Sequence, residues 1–258
     1  MSKRAIVERL RAAGCVFAED EARLLTANAS TPAELDTLVA RRVAGEPIEQ
    51  VLGWAEFCGL RIAIEPGVFV PRRRSELLAR EAIALAHDGA VVVDLCCGSG
   101  AVGAAMAAAR DRLELHAADI DPAAAQCARR NLPDDAFVYV GDLDGPLPSR
   151  LHGRVDVLLA NTPYVPTDEV GLLPPEARLH EPREALDGGA DGLDIARRVV
   201  AAAPLWLAPG GSVLVETSER QASALADVVV AHGLTPRIAH SDALAATAVI
   251  GKAPIADA

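Results

Sequence analysis

Aromatic residues are scarce: two Trp, two Tyr and four Phe make up 3% of the 258 residues. Small aliphatics, chiefly Ala, Val and Leu, must therefore fill the core. Positive charge is short as well, with 25 Lys plus Arg against 36 Asp plus Glu and a formal net charge of −11. That balance argues against a chain whose main task is gripping nucleic-acid phosphate, although it leaves room for a local basic patch. Cysteine supplies no framework. Cys15, Cys58, Cys96, Cys97 and Cys127 are an odd count without C-x-x-C spacing, and the adjacent pair is badly placed to share a metal. A reducing, cytoplasmic setting is the simple expectation. No apolar run escapes Pro, Gly or charge long enough to span a bilayer, and the N-terminal segment lacks the apolar stretch of a signal peptide. The six His show no i, i+4 pair and no HExxH, and no Ser sits in a GxSxG elbow, so neither a metal site nor a hydrolase elbow is expected.

What is present is 51% hydrophobic and 24% charged, an ordinary globular composition. The length suits one large domain, or a core domain with a small companion. Residues 2–52 read as short helices: Ile6, Val7, Leu10 and Ala13 recur at helical spacing, and 19–27 is a second run. Ser30-Thr31-Pro32-Ala33-Glu34 is a helix start, with a hydroxyl cap, Pro in the first turn and an acid near the dipole. Gly45 and Pro47 end that helix. The period then changes. Leu60, Ile62 and Ile64 alternate with polar residues, Glu65-Pro66-Gly67 reads as a turn, and Val68-Phe69-Val70 follows, which predicts a β-hairpin over 54–71. From Ser75 onward strands alternate with helices. Strand candidates are 91–93, 113–118, 136–140, 155–160, 212–215 and 248–250. Helical stretches are 75–87, 101–110, 122–131, 193–207 and 221–232. This is the pattern of a doubly wound, mostly parallel α/β sheet.

The strand at 91–93 runs into Asp94-Leu95-Cys96-Cys97-Gly98-Ser99-Gly100-Ala101-Val102-Gly103 and then a helix. Such a turn brings the backbone close to a ligand at the carboxyl end of the sheet, though similar turns occur without one. Gly98-x-Gly100-x-x-Gly103 also fits the dinucleotide fingerprint, with Asp119 as the acid at the next strand end. A ribose-holding Asp119 suits an NAD-type site and an S-adenosylmethionine-type site alike. Asp94 tips the balance, because an acid before the glycines repels a pyrophosphate and suits an ammonium group. Asp121-Pro122 is assigned to a helix cap. Gly141-Asp142-Leu143 repeats the layout, with an acid and an apolar residue for an adenine face; the plainer alternative is a turn formed with Gly145 and Pro146.

Asn161-Thr162-Pro163-Tyr164 follows the fourth strand. An amide nitrogen is a poor nucleophile, and methylating it requires acceptors that hold its N–H groups in line with the donor methyl. Asn161 offers a side-chain oxygen and Thr162 a backbone carbonyl. Pro163 stiffens the loop and Tyr164 adds a flat wall with a polar tip. An isolated Asn-x-Pro-Tyr is usually a plain loop; its place after a strand of a candidate nucleotide-binding sheet reverses that preference. Arg72-Arg73-Arg74 is a basic run that usually means a solvated turn, with docking of an acidic partner or covering of the cofactor as alternatives.

Together these segments resemble the protein-glutamine N5-methyltransferases of the HemK/PrmC type, which act on peptide-chain release factors. The resemblance is carried by Pro47 to Gly53, Glu56-Phe57, Gly59-Leu60, Pro66 to Arg72, Glu76 to Leu78, the cofactor and substrate motifs, Glu181 to Gly189 and Asp191-Gly192-Leu193. It implies a seven-stranded class I S-adenosylmethionine-dependent methyltransferase fold: a helical domain over 1–53, a hairpin linker over 54–71 and a methyltransferase domain over 72–258. It implies S-adenosyl-L-methionine as cofactor, with S-adenosyl-L-homocysteine as product. Asp94, Cys96, Cys97, Gly98, Gly100, Asp119, Asp142, Leu143 and Asn161 would hold the cofactor. Asn161, Thr162, Pro163 and Tyr164 would form the reacting end. The implied partner is a protein with an accessible glutamine, such as a release factor, met by a cytoplasmic monomer with no nucleic-acid or membrane contact. The chain departs from the pattern at Thr162, where the family has Pro, and at Cys96-Cys97, where it has Gly and a small polar residue. It also lacks the Asp-Arg pair in the last strand. A Cβ at Cys96 predicts altered backbone angles there, and the whole marks a divergent member. The alternatives are a methyltransferase acting on another amine, and a non-catalytic or NAD-binding domain.

Overall fold

The computed structural model describes residues 2–255, so the outermost ends of the expected domain ranges, residue 1 and residues 256–258, lie outside the described residues. Four helices come first: α1 (Lys3–Ala12), α2 (Ala18–Asn28), α3 (Pro32–Val43) and α4 (Ile48–Leu52). The hydroxyl that caps α3 is Thr31, which accepts the Glu34 N–H at 3.1 Å, while the Glu34 carboxylate accepts the Ser30 N–H at 2.7 Å. Ile6, Leu10, Leu25, Leu38, Val39 and Val51 bury their side chains together as a separate small core. Each fully buried aliphatic side chain contributes roughly 1.5–3 kcal/mol.

The hairpin closes earlier than the alternating pattern suggests. Its strands are β1 (Trp54–Phe57) and β2 (Leu60–Ala63), paired antiparallel around Cys58-Gly59. Glu65-Pro66-Gly67 still turns the chain, but Val68–Val70 forms no strand pair. Val68 packs instead against Ala124 and Cys127.

Next come α5 (Glu76–Leu85), β3 (Val91–Leu95), α6 (Ala101–Ala109), β4 (Glu114–Asp119), α7 (Pro122–Asn131), β5 (Phe137–Val140) and β6 (Val155–Ala160). They are followed by α8 (Pro175–His180), α9 (Asp194–Trp206), β7 (Leu207–Thr217), α10 (Glu219–Ala231), β8 (Thr235–Ser241) and β9 (Ala246–Lys252). The seven strands lie in the order β5-β4-β3-β6-β7-β9-β8. Pairings from β5 through β7 are parallel, and β9 runs antiparallel to both β7 and β8. β8 is the strand that periodicity does not reveal. It is an edge strand, half exposed, and carries Pro236, which an edge tolerates because one side of its backbone needs no partner. All of β3 is buried, with Val91, Val93 and Leu95 in the core on one face and Val92 in the core on the other. That two-sided burial is why the segment reads as a continuous apolar run.

Candidate active site

The chain leaves β3 outward to β4 and β5, then returns to β6 on the other side of β3. At the carboxyl ends beside this switch point, where open α/β sheets bind ligands, lies a cavity of about 730 Å³. Asp94, Cys96, Cys97, Gly98, Asp119, Asp142 and Leu143 line it from one half of the sheet, and Asn161, Thr162, Pro163 and Tyr164 from the other. Gly100 stands apart from the lining. It caps α6 with φ +76°, and a Cβ there would lie 3.1 Å from Ala128, so its smallness serves the packing of α6 on α7.

Cys96 has φ +54°, a left-handed backbone that this residue adopts in spite of its Cβ. Gly98 donates its N–H to Asp119 Oδ2 at 2.8 Å, and the Asp121 N–H reaches Oδ1 at 2.9 Å. Burial raises the Asp119 pKa while these N–H groups oppose the rise. Asp121 itself caps α7 through the Ala123 N–H at 2.8 Å. Asp94 is 2% exposed and accepts the Gly103 N–H at 3.2 Å. Burial, with Asp119 nearby, pushes its pKa up to about 7 against that hydrogen bond. Asp142 stands at the rim, held by Arg198 at 2.7 Å.

At the opposite end, Asn161 Nδ2 donates to Ser75 Oγ at 3.1 Å. Thr162 is buried and its hydroxyl oxygen has no hydrogen-bond partner among the described residues. Burial raises the Tyr164 phenol to about 12, so it stays protonated. Arg74 lies 5.4 Å over the Tyr164 ring and 3.5 Å from Glu216, which is buried at the end of β7 and also lines the cavity. The loop after the substrate motif packs tightly against it. Val165 donates to the Leu186 carbonyl at 3.1 Å and accepts the Gly188 N–H at 2.8 Å. A Cβ on Gly188 would come within 2.6 Å of the Pro163 carbonyl oxygen. Gln221 Nε2 ties both sides together, donating to Tyr164 O at 3.0 Å and Asp191 O at 2.8 Å.

The basic run is not a free turn. Arg72 pairs with Glu181, whose carboxylate also accepts the Val70 N–H at 3.2 Å, and Arg74 faces Glu216. Periodicity did not single out Ser75, Glu216 or Gln221. Glu216 had one usable signal, an acid directly after the apolar run 213–215 at the carboxyl end of a strand. Ser75 and Gln221 had none, because their partners are remote in sequence.

Fold and cleft together define a class I S-adenosylmethionine-dependent methyltransferase. A methyltransferase from Pyrococcus furiosus superposes with a TM-score of 0.55 at 19% identity, covering 84% of this chain and 98% of that one. The family model described as Methyltransferase small domain matches residues 59–187. A release factor glutamine methyltransferase from Mycolicibacterium smegmatis is 38% identical over 84% of this chain and 83% of its own length. That from Geobacter sulfurreducens is 40% identical over 72% of this chain, and the match spans 65% of the relative. A 4-amino-L-phenylalanine/4-methylamino-L-phenylalanine methyltransferase from Streptomyces pristinaespiralis is 36% identical over 87% of this chain and 82% of its length. The chain belongs to the release factor glutamine methyltransferase family, enzymes that use S-adenosyl-L-methionine. The donor set suits that cofactor: a buried carboxylate for an ammonium, a second carboxylate at a strand end for hydroxyls, and an apolar Leu143 beside Asp142. Among the described residues no helix is long and apolar enough to cross a membrane.

Proposed function

We propose that this protein transfers the methyl group of S-adenosyl-L-methionine to the side-chain amide nitrogen, N5, of a glutamine in a peptide-chain release factor. S-adenosylmethionine, when bound, supplies an electrophilic methyl group. Asp94 holds its ammonium end, Asp119 its ribose hydroxyls, and Asp142 with Leu143 its adenine. The glycine-loop residues Cys96, Cys97 and Gly98 shape the wall between them. The observation that carries the reading is the polarity of Asn161. Its Nδ2 is engaged by Ser75, so Oδ1 is the end left to accept from a substrate amide N–H. The Thr162 carbonyl accepts the second N–H, and the protonated Tyr164 walls the amide in. Two fixed acceptors orient a weak nucleophile and support the positive charge that grows on it. The acidic net charge of −11 fits a protein acceptor better than nucleic acid, and the reading is of a cytoplasmic monomer.

A second reading, a small aromatic amine as acceptor, is favoured by the Streptomyces pristinaespiralis relative and by Arg74. That side chain is half exposed at the cavity and could pair with the carboxylate of a free amino acid. Isotope-labelled methyl transfer separates the two. The protein is offered a release factor and, separately, 4-amino-L-phenylalanine. The proposal expects label on a glutamine of the release factor; label on the amino acid alone would replace it with the second reading.

A further inference from the structure

We propose that Arg198 is a positioning residue for the methyl donor: by holding one oxygen of the Asp142 carboxylate it aims the other at the amine edge of the adenine, so that the rim of the cleft selects adenine over an oxo purine. The inference rests on the reading of Asp142 and Leu143 as the adenine's neighbours.

Both residues line the cavity, and they reach it from different halves of the sheet. Asp142 follows β5, while Arg198 stands on α9, beyond the loop packed on the substrate motif. The backbone is fixed at each end. Gly141 donates its N–H to the Asp119 carbonyl at 2.9 Å, and the Asp142 carbonyl accepts the Gly145 N–H at 3.1 Å. A Cβ on Gly141 would lie 2.9 Å from Pro146, so this turn is closely packed. α9 is held by Ala196, Val199, Val200 and Ala203, which are buried in the core. Ile195 and Arg198, three residues apart, share the helix face that lines the cleft.

The Asp142 side chain is 56% exposed, and such a carboxylate samples several rotamers unless something holds it. Arg198 Nη2 donates to its Oδ2 at 2.7 Å. No second donor reaches the carboxylate among the described residues, so Oδ1 keeps its acceptor capacity. An ionised carboxylate can only accept. Adenine presents an amine at its six-position, where hypoxanthine presents a carbonyl oxygen. A carboxylate fixed beside that edge accepts from the first and repels the second. The arrangement is particular to Arg198. Its neighbour Arg197 pairs with Asp191, and with Asp194 at 3.2 Å, and stands outside the cavity lining. The Arg198–Asp142 pair is about half exposed on both sides, so it adds little to stability and its loss leaves the fold intact.

The test compares, by calorimetry, the affinities of S-adenosylhomocysteine and S-inosylhomocysteine, which carries a carbonyl oxygen in place of the six-amino group. The parent, Arg198→Met, Arg198→Glu, Arg197→Met and Asp142→Ala are measured. The parent should prefer the adenine ligand by on the order of 10–100-fold, the weight of one hydrogen bond to a charged group. Arg198→Met should cut that preference by about three- to tenfold. Arg198→Glu, which sets like charges side by side, should cut it further. Arg197→Met removes the same charge from the same turn of helix and should keep the parent ratio. A general loosening of the cleft lowers both affinities together and leaves their ratio alone. A parent ratio in Arg198→Met or Arg198→Glu would therefore overturn the proposal. An equal drop in Arg197→Met would overturn it too, because the effect would then be one of charge without positioning. A parent ratio in Asp142→Ala would instead overturn the reading of Asp142 as the adenine's neighbour. A lost preference in Asp142→Ala beside parent ratios in both Arg198 variants would overturn the role of Arg198 alone.

Discussion

Arg42 on α3 holds Glu176 on α8 at 2.6 Å, across 134 residues of chain, while the same guanidinium pairs with Glu21 on α2 at 2.7 Å. Arg42 is 5% exposed. Nearby, Gln50 donates to the Val68 carbonyl at 3.2 Å and to the His180 carbonyl at 3.3 Å. The N-terminal helices thus grip the segment that runs from α8 into the loop packed on the substrate motif. Arg42→Met leaves Glu21 buried without its partner, a change that typically costs about 3–5 kcal/mol. Urea unfolding should show that loss, and a second change, Glu21→Gln, should recover part of it. The methyl-donor affinity of the surviving folded protein should stay at the parent value.

Gly188 should tolerate no side chain. A Cβ there meets the Pro163 carbonyl oxygen at 2.6 Å, the Gly192 carbonyl oxygen at 2.7 Å and the Tyr164 Cα at 2.8 Å. All three are backbone atoms, so relief requires the substrate loop itself to move. Gly188→Ala should therefore lower the methyl-transfer rate much more than it lowers donor affinity, since Asp94 and Asp119 lie on the other side of the switch point. Steady-state kinetics with calorimetry of S-adenosylhomocysteine binding checks this. Equal losses in both would contradict it.

Asp94 makes affinity and stability respond to pH in opposite directions. Its pKa lies at about 7 rather than 3.8, so the fold favours the protonated form. Its contribution to ligand-free stability is fully present below the unfolded pKa and is lost as pH rises through about 7. Binding of an ammonium needs the ionised form. S-adenosylhomocysteine affinity should therefore rise from about pH 6 to about pH 8. Asp94→Asn can still accept from Gly103. It should stabilise the ligand-free protein at about pH 8 by on the order of 1–4 kcal/mol and weaken binding by about 2–5 kcal/mol. Thermal melts and calorimetry at the two pH values decide the matter.

Thr162 carries a buried hydroxyl with no hydrogen-bond partner among the described residues. Replacing it by the isosteric Val removes that cost, so Thr162→Val should gain about 1 kcal/mol in unfolding free energy. Thr162→Pro keeps the backbone carbonyl and stiffens the loop, and its transfer rate should equal or exceed the parent's. A large rate loss in both variants would mean that the hydroxyl works on the substrate.

The elements that could be read from sequence are those whose cause is local. Pro122–Asn131 appears with its bounds as expected because Asp121 and Pro122 announce its start. The central strand β3 appears because burial on both faces leaves an unbroken apolar run over 91–93. β8 escaped because an exposed edge needs no apolar pattern, and the hairpin turn was displaced because Glu65-Pro66-Gly67 is the louder local signal. The acids and Asn161 that line the cavity were legible from their places at strand ends. Ser75, Glu216 and Gln221 were not, since each acquires its meaning only from a partner brought near by the sheet. Cys96 shows a different limit: its side chain argues against a left-handed backbone, yet the surrounding turn imposes one.

The most direct test of the central claim is single-turnover methyl transfer by Asn161→Ala, with S-adenosylhomocysteine affinity measured on the same preparation. On the proposed reading Asn161 Oδ1 orients the acceptor amide, while Asp94, Asp119 and Asp142 would hold the donor. The rate should fall by on the order of 10²–10³ with affinity at the parent value. Transfer at the parent rate would contradict the account, because the reacting end of the cleft would then lie elsewhere.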